Sequence, residues 1–306
     1  MIDGLDPELA SVVEAVPRWA GRDVTAEVLS LGITNRNFKV EVSGEAFVVR
    51  LPGRNTELLG IDRATEREAA AAAAAAGVAP EVFAYVPERR ALITRFVEAD
   101  PLPPEDLERD DVLEAVVRSL RAIHAMPPLR TVFDPFEIVR DYRRIAIDGG
   151  VPIPEAYDEA LVAADAIRSA FEKSPMPACS CHNDLLNANL LMRDGRVVIV
   201  DYDYAGVGDR FFDLGNLAIN NGMSEDAQRR LLERYFGGVR PVHIARQALM
   251  RVMSDFREAM WGVVQQGISD LEFDYVDYAD RHFARCLRSI GDERFGGWVR
   301  DAADSV

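Results

Sequence analysis

A polar loop followed by a β-hairpin most constrains the fold of this chain, because the sequence around them is helical in pattern. Two apolar runs, residues 190–192 and 197–200, flank the pair Asp194-Gly195. An Asp-Gly pair between apolar runs is a strong signal for a tight hairpin turn. The polar loop, His-Asn-Asp-Leu-Leu-Asn-Ala-Asn at 182–189, precedes the first run, and Asp201 follows the second. The hairpin therefore predicts that Asp201 returns close to the end of the loop.

The loop and the residue after the hairpin carry the side chains that phosphoryl transfer needs. That reaction requires a carboxylate that orients the attacking hydroxyl and accepts its proton. It also requires oxygen ligands that hold magnesium against the nucleotide phosphates. Asp184 fits the first role, and Asn189 and Asp201 fit the second. Asp and Asn are common in loops, so the complete layout, with His182 two residues before Asp184, is what makes the prediction specific. We expect His182 to orient the loop rather than to transfer protons.

The first hundred residues predict a small antiparallel sheet with one helix. Apolar and charged residues alternate over 38–42, Ser43-Gly44 makes a turn, and a second apolar run follows at 47–49. The alanine-rich segment 62–76 predicts a helix, since alanine has the highest helix propensity, and Gly77 is well placed to end it.

A change of pattern near residue 100 divides the chain. Two more short strands are expected at 82–85 and 91–96, and the proline-rich segment 100–104 then marks a hinge. Helices are expected beyond it at 106–126, 135–147 and 154–173, with several more after 224. We predict an α+β fold of two lobes, an N-terminal nucleotide-binding lobe over residues 1–98 and a mainly helical C-terminal lobe over residues 99–306.

The segment from His182 to Asp203 resembles the phosphotransferase signature of choline/ethanolamine kinases and of the wider aminoglycoside phosphotransferase family. Other stretches look like the bacterial choline kinase branch: residues 34–40, 49–53, 56–57, 201–206, 212–216 and 268–275. The resemblance covers most of the chain and implies a protein kinase-like bilobal fold. It also implies a kinase that uses ATP and Mg²⁺ to phosphorylate the hydroxyl of a small, positively charged metabolite, with choline as the leading candidate.

The resemblance implies roles for individual residues. Asp184 is the catalytic base, Asn189 and Asp201 bind magnesium, and Arg50 reaches the nucleotide phosphates with Glu66 as its partner. An ordinary surface arginine is the alternative for Arg50. The alternative to Glu66 is Glu68, which faces another direction of the same helix. Further nucleotide contacts are expected at Thr34, Asn35, Asn37, Arg95 and Val97. Asp213 is expected to brace the catalytic loop, and His124, among apolar neighbours, is expected to be a structural histidine.

The acceptor is expected along a helix over residues 249–268. Its apolar face is predicted to be core, whereas Asp255, Glu258, Trp261 and Gln265 are predicted to form a polar stripe on the opposite side. An indole beside carboxylates suits a small cation, since cations are attracted to aromatic faces. The residues expected to bind the acceptor are Asp203, Tyr204, Glu258, Trp261, Gln265 and Tyr275, with Tyr278 as a further wall.

Two alternatives stay open at the level of sequence. Eukaryotic choline kinases resemble this helix but carry a second tryptophan where this chain has Glu258, so ethanolamine, an amino sugar or a cationic antibiotic is also a candidate acceptor. An aminoglycoside kinase would have several carboxylates converging beyond Asp184. A regulatory pseudokinase would be expected to lose Asp184, Asn189 or Asp201, and all three are present.

Composition excludes several other classes. The formal net charge of −16 disfavours nucleic acid and anionic membranes as partners, because a protein that follows phosphates needs basic patches. No apolar run is long enough to span a membrane, and the N-terminal residues lack a signal-peptide pattern, so we expect a cytoplasmic protein. Three cysteines at 179, 181 and 286 argue against a disulfide framework. The first two could suggest a metal, but no matching ligand pair accompanies them.

Overall fold

The computed structural model describes residues 5–29 and 35–304. Its N-terminal part is a five-stranded antiparallel sheet in the order β1-β2-β3-β5-β4. The strands are β1 (Val24–Leu29), β2 (Asn35–Val42), β3 (Glu45–Pro52), β4 (Val82–Val86) and β5 (Ala91–Arg95). Two helices accompany the sheet, α1 (Pro7–Ala15) before it and α2 (Arg63–Ala75) between β3 and β4. The predicted sheet and alanine-rich helix are thus confirmed.

One face of the sheet and α1 enclose a small hydrophobic core. Asp6 caps α1 by accepting hydrogen bonds from the backbone N–H groups of Glu8 and Leu9. The alternation predicted over 38–42 is present, with Phe38 and Val40 buried in this core beside Trp19. The opposite face of the sheet is left to line a cleft.

The C-terminal part is mainly helical. Its helices are α3 (Asp110–His124), α4 (Pro135–Asp148), α5 (Ala156–Lys173), α6 (Arg210–Asn220), α7 (Glu225–Phe236), α8 (Pro241–Ile268), α9 (Tyr275–Ile290) and α10 (Phe295–Asp301). Two small antiparallel pairs complete it, β6 (Cys179–Cys181) with β9 (Gly206–Gly208), and β7 (Leu190–Arg193) with β8 (Arg196–Ile199). Asp194 and Gly195 connect β7 and β8 with φ of 50° and 70°, which is the left-handed turn that an Asp-Gly pair favours.

The hairpin β7–β8 joins the two parts of the molecule. The N–H of Leu102, in the predicted hinge, donates to the carbonyl of Leu190 at 2.7 Å. On the other side, the N–H of Ile199 donates to the carbonyl of Val78, just after α2, at 2.8 Å. These backbone bonds attach the first residue of the hairpin to the hinge and its last residue to the sheet lobe.

Helix α8 is the centre of the C-terminal part, and the polar stripe predicted on it is wrong. The helix is buried on all sides, since α4, α6, α9 and α10 pack around it. Gly215 of α6 allows one of these approaches, because a Cβ atom there would lie 2.8 Å from the backbone of Met250 and Arg251. Polar residues of α8 are therefore interior residues that require partners.

Together these parts form the two-lobed α+β arrangement that the sequence predicts. Among residues 5–29 and 35–304, the longer helices are all too polar to cross a membrane.

Candidate functional site

A cleft of about 300 Å³ lies between the sheet and the hairpin β7–β8. Its walls on the sheet side include Asn37, Val48, Arg50 and Leu92, and on the hairpin side Ala188, Asn189, Leu191 and Asp201. The segment after β5 closes one end, with Arg95, Phe96 and Val97 among the lining residues. The last residues of the polar loop, Ala188 and Asn189, thus line the cleft, as their place before β7 requires.

Asp213 holds the polar loop in an unusual backbone conformation. Its two carboxylate oxygens accept hydrogen bonds from the N–H groups of His182 (2.9 Å) and Asn183 (2.7 Å). Asn183 has φ of 66°, a left-handed conformation that is uncommon outside glycine, although asparagine adopts it more readily than most residues. His124 contacts Asp213 through Nε2 at 2.9 Å and Tyr235 through Nδ1 at 2.7 Å. Burial opposes ionisation of Asp213, but the hydrogen bond from His124 helps to outweigh it, and the pKa of Asp213 is lowered.

His182 is a second brace of the loop. Its Nδ1 accepts a hydrogen bond from the N–H of Asp184 at 3.2 Å, so its Nε2 carries the proton and donates to the carbonyl of Val200 at 3.0 Å. Burial lowers the pKa of His182, which keeps the ring neutral in this arrangement. The ring therefore connects Val200, which precedes Asp201, to the backbone of Asp184.

Asp184 is the carboxylate of the polar loop, and its surroundings disfavour its ionised form. Burial, followed by the nearby charge of Glu258, raises its pKa well above the usual range. Its backbone is fixed on the C-terminal side as well, because the N–H of Leu185 donates to Asn216 of α6 at 2.6 Å. A rigidly held carboxylate with a raised pKa is what a general base requires.

Asn189 and Asp201 offer oxygen ligands that fit magnesium. The Asn189 amide nitrogen donates to the backbone carbonyl of Asp184 at 2.9 Å, which leaves the amide oxygen to act as a ligand. Asp201 has φ of 69°, and its buried Oδ1 receives no aligned hydrogen bond although Arg50 Nη1 lies 2.8 Å away. Burial raises the pKa of Asp201 to about 6. The backbone carbonyl of Asn189 accepts a hydrogen bond from the N–H of Val200, the residue before Asp201. This bond places the two candidate ligands on neighbouring segments of chain.

A buried network of charges lies beside these ligands. Arg50 Nη1 contacts Glu66 at 2.8 Å, Asp203 at 2.7 Å and Asp201 at 2.8 Å. Arg63 Nη1 contacts Glu66 and Asp203, each at 2.8 Å. Burial opposes ionisation of Asp203, but the charges of Arg50 and Arg63 outweigh it and lower its pKa. The network thus holds the Arg50 guanidinium at the edge of the cleft, with Arg63 buried beside it.

Beyond Asp184, aromatic rings and two charged side chains of α8 form a second cluster. We call it the Trp261 cluster, and its members are Tyr204, Arg257, Glu258, Trp261 and Tyr278. Trp261 Nε1 donates to the Tyr204 hydroxyl at 2.8 Å. Glu258 accepts from Arg257 at 2.5 Å and from the Tyr278 hydroxyl at 2.9 Å. The Arg257 guanidinium lies 3.9 Å from the centre of the Tyr204 ring.

Comparison with known proteins places this geometry in a family. The model of the "Phosphotransferase enzyme family" matches residues 25–250. The chain belongs to the phosphotransferase enzyme family. A solved choline/ethanolamine kinase family protein from Mesorhizobium loti is 30% identical with a TM-score of 0.84, over 97% of this chain and 98% of that one. This likeness shows membership of the choline/ethanolamine kinase family as well.

Two more distant relatives carry kinase names. Ethanolamine kinase 2 of Mus musculus is 24% identical over 310 residues, covering 90% of this chain and 79% of the mouse protein. The choline kinase LicA of Streptococcus pneumoniae is 21% identical with a TM-score of 0.80, over 94% of this chain and 99% of that one. The second likeness shows the protein kinase-like fold alone, and the fold class predicted from the sequence is confirmed.

In this phosphotransferase, several contacts predicted from the sequence are present. The Arg50–Glu66 ion pair is confirmed, whereas Glu68 points outward to Arg130. The bracing contacts expected of His182 and Asp213 are present, and His124 has partners at both ring nitrogens, as a structural histidine should. Asn37 and Val97 line the cleft. Thr34 lies outside the described residues.

Three predicted contacts are replaced by others. Asp203, expected against the acceptor, instead accepts from Arg50, Arg63 and Asn35, so both of its oxygens belong to the charge network. Asn35, expected over the phosphates, is buried in the same network. The guanidinium of Arg95 pairs with Glu45 at 2.7 Å, so only other atoms of Arg95 are available to the cleft.

Several residues predicted to bind the acceptor lie apart from one another in the structure. Asp255 is turned away from Trp261 and is bound by Arg285 and His282 of α9. Gln265 lies further along the helix, at a groove shared with Leu59 and Ser269. Tyr275 makes an edge contact with Trp261, with 5.8 Å between ring centres. Of the predicted stripe, Glu258 and Trp261 are the pair that the structure brings together.

Sequence analysis missed Arg63, Asn216 and Arg257. Arg63 is the first residue of α2 and lies three positions before Glu66, a spacing that places the two on one helix face. That spacing is the signal that could have revealed it. Asn216 lies in the stretch 212–216 that resembles the bacterial choline kinase branch but was given no role, and Arg257 has no local pattern that distinguishes it from other polar positions of a helix.

Proposed function

We propose that this phosphotransferase transfers the γ-phosphoryl group of ATP to the hydroxyl of a small amino alcohol of the choline and ethanolamine class, with Mg²⁺. The observation that carries the proposal is the position of Asp184. On one side the Asn189 amide bonds to its backbone carbonyl at 2.9 Å, and on the other the charges of Glu258 and Arg257 act on its carboxylate. The base therefore lies between an oxygen-ligand pair and an aromatic cluster.

Each residue then has a role that follows from its surroundings. Asp184 orients the acceptor hydroxyl and accepts its proton as the phosphoryl group transfers. Asn189 and Asp201 would hold magnesium, which would neutralise negative charge on the phosphates. Arg50, held by Glu66, binds the phosphates from the sheet side. In this proposal residues 1–98 supply the nucleotide lobe and residues 99–306 supply the catalytic and acceptor sites.

The acceptor assignment is supported by the Trp261 cluster and by the relatives. Trp261, Tyr204 and Tyr278 present aromatic surface, and Glu258 adds a buried carboxylate. Both features suit an organic amine. Relatives of the chain are named ethanolamine kinase and choline kinase. An aminoglycoside would need several available carboxylates near Asp184, but Asp255 is bound by Arg285 and His282 of α9, which leaves Glu258 as the one carboxylate of the Trp261 cluster.

The test is acceptor-dependent ADP formation by the purified protein with ATP and Mg²⁺. The panel contains choline, ethanolamine, its N-methylated forms, glucosamine and an aminoglycoside, with phosphorus NMR to identify the phosphate ester. We expect turnover with an amino alcohol, and we expect Asp184→Asn to abolish it. Glu68→Gln, an exposed carboxylate on α2, is the matched control and should retain full rates. Turnover with the aminoglycoside alone would refute the acceptor assignment.

A further inference from the structure

Two cysteines and a histidine lie together at the base of the polar loop, and the proposed reaction uses neither thiol. Cys179 and Cys181 face the same side of β6, because residues two apart in a strand share a face. Their Sγ atoms are 3.7 Å apart. His124, the last residue of α3, places a ring nitrogen within 4.8 Å of both sulfurs. Sequence analysis found no ligand to accompany the cysteine pair, and the fold supplies one from a distant helix.

The separation of the two sulfurs matches a tetrahedral metal site. A zinc ion binds thiolate sulfur at about 2.3 Å, so two sulfurs at tetrahedral angles lie about 3.8 Å apart. Imidazole nitrogen binds at about 2.0–2.1 Å, which places it about 3.6 Å from each sulfur. The His124 nitrogen therefore needs to approach the sulfurs by about 1.2 Å at most. Two thiols at this distance also share a hydrogen bond, so the added imidazole is what points to a metal.

The hydrogen bonds of His124 leave a lone pair on one ring nitrogen. Asp213 accepts from two backbone N–H groups, as a carboxylate does, so it also accepts from His124 Nε2 at 2.9 Å. Nδ1 then holds the lone pair, which accepts from the Tyr235 hydroxyl at 2.7 Å. A metal would replace that hydroxyl hydrogen and keep the Asp213 bond. A histidine ligand that donates its other N–H to a carboxylate is the usual arrangement in protein metal sites.

The thiol pair is prepared for deprotonation and can be reached from the surface. A hydrogen bond from Cys181 lowers the pKa of the Cys179 thiol to about 7, despite its burial. Cysteine binds metals as the thiolate, so a low pKa favours binding near neutral pH. Cys179 is 9% exposed and follows the exposed residue Ala178, whereas Cys181 is fully buried. A metal would reach the pair at Cys179 and needs no cavity, because it takes the place of the thiol protons.

We propose that Cys179, Cys181 and His124 form a binding site for a thiophilic metal ion, and that Zn²⁺ is the ion that fits two sulfurs and one imidazole. Water at the Cys179 edge completes the tetrahedron. The bound metal would brace the base of the catalytic loop, because Cys181 directly precedes His182 and His124 donates to Asp213. The site is distinct from the oxygen ligands proposed for magnesium, which prefers hard donors. The inference goes beyond the proposed function and does not depend on the acceptor.

Co²⁺ is the probe that tests the site, because tetrahedral thiolate ligation gives this ion intense visible bands and a sulfur-to-metal charge-transfer band. The full chain is freed of metal with EDTA, kept reduced with a phosphine, and titrated with Co²⁺ and then Zn²⁺ in excess Mg²⁺. We expect one Co²⁺ per chain with both kinds of band, displaced by Zn²⁺ but not by Mg²⁺. Zn²⁺ at about a hundred times its dissociation constant should raise Tm by about 4 °C.

Substitution of each ligand tests the assignment. Cys179→Ala, Cys181→Ala and His124→Gln should each weaken Co²⁺ binding by at least about a hundredfold, since changes to residues behind the ligands already cost about 10–100-fold. Cys286→Ala is the matched control, because Cys286 is the third cysteine of the chain, is also buried, and its thiol donates to the carbonyl of Val252. This variant should bind Co²⁺ as the wild type does.

The Tm of each protein without metal shows whether it is folded, and Cys179→Ala, at the exposed edge, alters the interior least. A wild type without the tetrahedral bands, or without a rise in Tm on addition of Zn²⁺, would overturn the inference. Co²⁺ binding that persists at full affinity in any folded ligand variant, or that is lost in a folded Cys286→Ala, would also overturn it. Failure of the proposed kinase activity would change none of these results, because none of them depends on turnover.

Discussion

Replacement of Arg63 by methionine tests whether the buried charge network stabilises the fold. Arg63 Nη1 contacts Glu66 and Asp203 at 2.8 Å, and Nη2 donates to Asn35 at 2.9 Å and to Thr56 at 3.1 Å. Without it, the carboxylates of Glu66, Asp203 and Asp201 share Arg50 as the one remaining guanidinium among the contacts described. Like-charge repulsion between buried carboxylates then opposes folding.

The expected loss follows from the burial of the pair. Arg63 is 7% exposed, and removal of one partner from a buried ion pair costs about 3–5 kcal/mol. Unfolding entropy near the melting temperature is about 2.1 cal/mol/K per residue, which is about 0.64 kcal/mol/K for 306 residues. The free-energy loss therefore predicts that Tm falls by about 5–8 °C.

Calorimetry or circular dichroism of Arg63→Met measures this shift. Arg54→Met is the matched control, because the Arg54–Asp270 pair is 82% and 64% exposed and such surface pairs contribute only about 0–1 kcal/mol. Adding Asp203→Asn to Arg63→Met removes one of the three carboxylates that then share Arg50 and should recover part of the loss. An equal Tm change in Arg63→Met and Arg54→Met would refute the reasoning.

Three further predictions concern activity. Asp184→Ala should lower kcat by at least about a hundredfold while the affinity for ATP, measured by calorimetry, stays within a few-fold, since the residue acts on the acceptor proton. Affinity for a Mg²⁺–nucleotide complex should fall by about tenfold per pH unit below pH 6, because Asp201, whose raised pKa is about 6, must lose its proton to bind the metal. Asp201→Asn should lack this pH dependence. Trp261→Ala should raise the acceptor KM more than the KM for ATP, and equal changes would place the acceptor elsewhere.

The parts of the site that the sequence predicts are those connected by short stretches of chain. Asp184, Asn189 and Asp201 belong to one loop and one hairpin, so the Asp194-Gly195 turn alone brings them together. The pairing of Arg50 with Glu66 needs a strand and a helix to pack, and it was predicted from the resemblance to a family. Local sequence patterns and the resemblance to a family together predict these contacts.

Contacts between distant helices are what the sequence does not predict. Asp255 and Glu258 lie three positions apart on α8, and this spacing suggested one polar stripe. In the structure, α9 supplies Arg285 as the partner of Asp255 and Tyr278 as the partner of Glu258. Helical periodicity tells which residues share a face, but it does not tell whether water or another helix covers that face. Arg257 is missed for the same reason, because a mid-helix arginine is usually exposed.

The distribution of charge separates the two halves of the site. On the nucleotide side, Arg50 and Arg63 lower the pKa of Asp203, so this carboxylate is ionised before any ligand arrives. Asp184 has no ion pair among the described residues, and burial keeps its pKa high. Positive charge that arrives with the metal and the acceptor would lower that pKa, because opposite charges favour the ionised form. In the proposed mechanism Asp184 would therefore be ionised more completely with a cationic acceptor bound, which would link proton acceptance to acceptor binding.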